Sequence, residues 1–185
     1  MLADENEGTI YLDQTGRFPV RSYSGKNYIF VAYAYSKNAI LLQPLAARND
    51  DNMVKMFQEL YAYLREQGIQ PRLHVLNNEG SKVIKAFIRS QDTDIQLVEP
   101  HSHHVNAAET AVKAAKYHMI AALATLDVNC PIQLWDRFLP QVQDTLNLLR
   151  TSRDNAAISA YEALEGPFDF NRTPISILGT RAGIP

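Results

Sequence analysis

Two β-patterned runs set three residues apart constrain this chain more than any other feature. Tyr28–Tyr35 (YIFVAYAY) and Ala39–Pro44 (AILLQP) are rich in aromatic, branched and aliphatic residues, and only Ser36-Lys37-Asn38 separates them. A link that short admits a hairpin but not the long crossover that parallel neighbours require. The two runs are therefore expected to pair antiparallel. Thr9–Asp13 (TIYLD) reads as a shorter strand before them. Gln14–Ser24, with Gly16 and Pro19, reads as a loop leading into the turn Gly25-Lys26-Asn27.

After the hairpin the apolar spacing changes from two to the helical period. Met53, Phe57, Leu60 and Leu64 recur on one helix face. Asn49, Asp50 and Asp51 supply capping oxygens and negative charge for the start of that helix, and Gly68 supplies its stop. Arg72–Leu76 reads as a fourth strand. Lys82–Arg89 reads as a short helix with Val83, Ile84, Phe87 and Ile88 inward, and Ile95–Val98 as a fifth strand. Pro100–Val105 is a loop holding three histidines. Asn106–Thr125 is an Ala-rich helix of high propensity. Ile132–Arg150 is a helix kinked or broken near Pro140, and Pro167–Pro185 reads as extended.

This order predicts an α/β fold with a mixed five-stranded sheet. The first three strands are antiparallel, the fourth and fifth parallel, and helices cover both faces. The expected organisation is a disordered leader over 1–8, one core over 9–166 and an extended tail over 167–185. Cys130 is the only cysteine, which excludes an internal disulfide and a multi-cysteine zinc site and suits a reducing compartment. No apolar run reaches the ~18 residues of a membrane span, so no membrane partner is expected. The formal charge of −2 gives no whole-domain attraction to nucleic acid, so any such binding must come from a local patch.

Three positions fall where such a fold gathers side chains. Asp13 ends the first strand, Asn77 ends the fourth, and Glu109 lies in the first turn of the Ala-rich helix. Strand ends and a helix start can converge on one cleft, and clustered carboxylates are what hard cations need for phosphodiester chemistry. Each position also has an ordinary reading. Asp13 and Asn77-Asn78 suit turns, Glu109 can complete a capping box with Asn106, and Glu109 with Lys113 can form a surface ion pair. No protein nucleophile is evident. His101, His103, His104 and His118 lack the fixed ligand spacing of a structural zinc site, and no zinc is expected.

Several stretches resemble integrase cores of LTR retrotransposons, the copia-like group in particular, within the RNase H-like superfamily. Tyr11-Leu12-Asp13-Gln14-Thr15-Gly16 resembles the motif bearing the first catalytic Asp. His74-Val75-Leu76-Asn77-Asn78-Glu79 resembles the second, and Pro100–Lys116 (PHSHHVNAAETAVKAAK) the loop and helix bearing the catalytic Glu. Asn147–Arg150 and Ser159–Leu164 resemble downstream stretches of the same cores. The resemblance spans roughly Thr9 to Thr180. It implies an RNase H-like fold with Asp13, Asn77 and Glu109 at the catalytic positions. Asp13 and Glu109 would be ligands of Mg²⁺ or Mn²⁺, and Asn106, Lys113, Lys116 and His104 would meet DNA. It implies DNA, further copies of the chain and other segments of a retroelement polyprotein as partners, and an intracellular site, nuclear in a eukaryotic host. The family pattern has Asp where this chain has Asn77. Two readings follow: an integrase core impaired in processing and strand transfer, or a catalytically dead remnant that only binds DNA or itself. The lysines after Glu109 and the downstream stretches weigh against another RNase H-like nuclease.

Overall fold

The computed structural model describes residues 7–76, 81–97, 107–176, 178 and 180. Its strands are β1 (Thr9–Gln14), β2 (Tyr28–Ala34), β3 (Ala39–Leu45), β4 (Leu73–Leu76) and β5 (Asp94–Leu97), in the spatial order β3-β2-β1-β4-β5. β1 pairs antiparallel with β2 and β2 with β3, while β4 runs parallel to both β1 and β5. This is the mixed sheet that the short hairpin and the later alternation imply.

Pleat alternation divides the sheet into two faces. Ile10, Leu12, Phe30, Ala32 and Leu41 point to one core, which is completed by α1 (Asp50–Glu66) and α2 (Lys82–Arg89). Ile29, Val31, Tyr33, Ile40 and Leu42 point to the other, which is completed by α3 (Ala107–Ala124), a 3-10 helix over Ile132–Phe138 and α4 (Leu139–Leu148). A fifth helix, α5 (Glu162–Glu165), was not anticipated from the sequence, because a single turn leaves no periodicity to read. It seats Leu164 and, just before it, Ala160 on the α1 side.

α1 is bounded as its sequence dictates. The Asn49 side chain accepts from the Asn52 amide at 3.2 Å. At the other end Gly68 takes φ +70°, its N–H donates to Arg65 and the Ile69 N–H donates back to Leu64, which is the Schellman closure. Two sequence expectations need correction, and a third is refined. Val83 is 51% exposed, because an eight-residue helix turns only its Ile84/Ile88 stripe fully to the sheet. The run from Ile132 is broken near Pro140, as expected, into the 3-10 helix and α4. Pro140 sits in the first turn of α4, where a missing N–H breaks no bond. The segment after Pro167 is not wholly extended: the Asp169 carboxylate accepts from the amides of Asn171 and Arg172 and closes a turn.

β3 is an edge strand, and α4 covers it with side chains in place of a sixth strand. Asn147, 2% exposed, accepts from the Ile40 N–H and donates to the Ile40 carbonyl, both at 2.9 Å. Gln143 accepts from the Leu42 N–H at 2.7 Å. These amides satisfy backbone groups that would otherwise template aggregation. Replacing Asn147 with Leu leaves a buried N–H and C=O unpaired and should cost about 2 kcal/mol. Urea unfolding of Asn147→Leu with an unchanged midpoint would refute that role.

Candidate functional site: the end of β1 and the α3 face

Asp13 stands opposite Val31 in the β1–β2 register and so shares the sheet face covered by α3. It is half-buried, and its Oδ1 accepts from the Gln14 N–H at 2.7 Å. β4 lies on the other side of β1, with Leu76 opposite Leu12. Asp13 and Asn77 thus each follow a member of one registered pair. Asn77 itself lies outside the described residues, as do Asn106, His101, His103 and His104.

α3 crosses β1 and β2 on the Asp13 face. Ala111, Ala115 and Met119 are its buried stripe, and the two alanines allow a close approach of helix to sheet. Glu109, in the first turn, is half-buried. Lys113 and Lys116 are exposed one and two turns on, so Lys116 lies about 10 Å along the axis from Glu109. Lys116 also borders a pocket shared with Gln14 through Val20, the loop that follows Asp13. The structure thus places Lys116 beside the exit of β1 and Glu109 earlier on the helix that crosses it. Among the described residues no three His, Cys, Asp or Glu side chains gather to hold a metal ion. His118, further along α3, is held below its ordinary basicity by burial.

Arg48 escaped the sequence reading. It lines a small pocket of about 160 Å³ at the end of β1 with Asp13, Asp50 and Ser81. Its guanidinium lies 4.6 Å from the Tyr28 ring centroid and donates to the Thr15 carbonyl. Nothing local marks it, because its partners are distant in sequence. The tyrosines behave as packing groups. Tyr33 and Tyr61 are buried, and Arg153 lies over Tyr35 at 4.3 Å while donating to the Tyr33 hydroxyl at 3.2 Å.

A solved structure with this arrangement is the catalytic core domain of BIV integrase, matched with a TM-score of 0.60 over 85% of this chain and 93% of that one. The chain has the integrase catalytic-core fold. At 13% identity the likeness is one of fold alone. No family model matches the sequence, and no curated protein does.

Proposed function

We propose that this chain is the catalytic core of a retroelement integrase, of the LTR-retrotransposon and copia-like kind. It would bind DNA, and its metal-dependent processing and strand transfer would be impaired by Asn77. One observation supports this most: on an integrase-core fold, Asp13 closes a β1 strand registered against β4, on the face crossed by the helix that carries Glu109. The donor set suits a hard cation. Asp13 and Glu109 would hold Mg²⁺ or Mn²⁺ with the Asn77 amide as a neutral third donor. When bound, such an ion stabilises charge on phosphodiester oxygens. One negative charge fewer makes the set fit one ion better than a closely spaced pair.

The chain's own side chains would do the rest. Lys113 and Lys116, exposed on α3, would neutralise DNA phosphates and hold the strand along the helix. Asn106 and His104 would add contacts from the preceding loop. Arg48, braced on Tyr28, would add one at the end of β1. Further copies of the chain and other segments of a polyprotein would complete the assembly, in the nucleus of a eukaryotic host. Asn77 also favours the second reading, a dead remnant that retains only DNA binding or self-association.

DNA binding separates this proposal from an idle fold. Each lost phosphate contact lowers the salt slope by ~0.9, so Lys113→Ala with Lys116→Ala should reduce it by about two units. Binding measured by fluorescence anisotropy across a salt series gives the slope. An unaltered slope returns both lysines to an ordinary solvated helix face.

A further inference from the structure

Between α3 and the loop after β1 lies a pocket of about 520 Å³. Its walls are apolar and come from distant parts of the chain: Phe18 from the loop, Ile29 from β2, Leu42 from β3, Met119 and Leu123 from α3, and Leu139 from α4. Among the described residues, the charged side chains on its lining are Arg17 and Lys116; both are exposed, and no carboxylate lines it. Small-molecule sites have volumes of about 300–1,000 Å³, apolar walls and a few polar groups that orient the ligand. This pocket has all three.

We propose that it binds a small amphiphilic anion. The aromatic or aliphatic body would lie against Phe18, Met119 and Leu139, and the acidic group would sit at Arg17 and Lys116. Charge complementarity selects the class. Two cations with no carboxylate among them favour an acid over a neutral molecule of the same shape, and they repel a cation. The proposal shares Lys116 with the integrase reading but does not rest on it, since neither Asp13 nor Glu109 lines the pocket.

The pocket is wired to a natural reporter. Phe18 stacks on Trp135, the single tryptophan, with ring centroids 4.3 Å apart. The Trp135 Nε1–H donates at 2.9 Å to the carbonyl of Val20, which also lines the pocket. A molecule pressed against Phe18 should therefore alter Trp135 emission.

The test titrates 8-anilinonaphthalene-1-sulfonate into the full chain, with neutral N-phenyl-1-naphthylamine as the uncharged control. The expected result is saturable one-site binding of the anion, quenching of Trp135, and weaker binding of the neutral relative. Arg17→Ala with Lys116→Ala should weaken the anion about fivefold, because exposed ion pairs contribute modestly, and should leave the neutral compound unaffected. Val112→Phe, on a half-buried lining position, should block both, with near-UV dichroism reporting that the chain stays folded. If that variant does not fold, the surface pair and the anion-to-neutral comparison still decide. Non-saturable binding, or an anion affinity indifferent to both cations, overturns the proposal. So does binding lost with rising protein concentration, the sign that a second copy covers the pocket.

Discussion

Acidification should begin to destabilise this protein near pH 6.5, above the range in which carboxylates titrate, and His74 should be a main cause. His74 lies on β4 with 0% exposure, its ring centroid 5.9 Å from that of Phe57 and 5.3 Å from that of Tyr61. Neither ring nitrogen has a hydrogen-bond partner among the described residues. Burial pushes its pKa from 6.5 down to about 3, since a cation in that aromatic setting loses its water and gains no counter-charge. The sign follows from the direction. The folded state holds His74 neutral while the unfolded state takes up a proton below pH 6.5. Its share of stability is therefore complete above the unfolded value and drains away as pH falls towards the folded one. The slope approaches about 1.4 kcal/mol per pH unit, so stability at pH 4.5 should lie roughly 3 kcal/mol below its neutral value from this group alone. His74→Leu, close in volume and unable to ionise, should flatten that limb. Denaturant unfolding at several pH values checks it, and parallel pH curves for parent and variant would show that His74 is not responsible.

The second large effect is expected at position 77. Asn77→Asp restores a charge to the proposed metal set with almost no change in shape, so the fold should be indifferent to it. Loss of an outer partner of a metal ligand typically costs 10–100-fold in affinity or activity. A missing ligand charge should cost at least ~100-fold on the same scale. Calorimetric titration with Mg²⁺ or Mn²⁺ should therefore show Asn77→Asp binding at least ~100-fold more tightly than the parent. The parent should show little or no Mg²⁺-dependent strand transfer. Metal affinity is the cleaner readout, because strand transfer also needs the rest of an integrase assembly. Equal affinity in the two forms would mean that residue 77 is not a ligand position, and the assignment of the second motif would fall. Tighter metal binding without strand transfer would separate a repaired site from an incomplete assembly.

These two residues sit differently with respect to what the sequence by itself can determine. The element order, the hairpin direction, the cap at Asn49 and the stop at Gly68 were legible because each depends on neighbours within a few positions. Periodicity and cap chemistry are local properties of a chain. The same locality gave Asp13 a strand end and Glu109 a first helical turn. It also misplaced Val83, because a helix of eight residues has too few turns for spacing alone to tell its buried stripe from its flank. The burial of His74 could not be read this way. A histidine within Leu73–Leu76 suits either an exposed strand or a central one, and only the docking of β4 between β1 and β5, beneath the rings of α1, takes it out of water. The Asn147 bridge to Ile40 and the stack of Phe18 on Trp135 each join residues more than a hundred positions apart. Such pairings are chosen when whole elements pack and bury their faces together. Only the tertiary structure decided them, and with them the buried imidazole of His74, the covered edge of β3 and the apolar pocket beside Lys116.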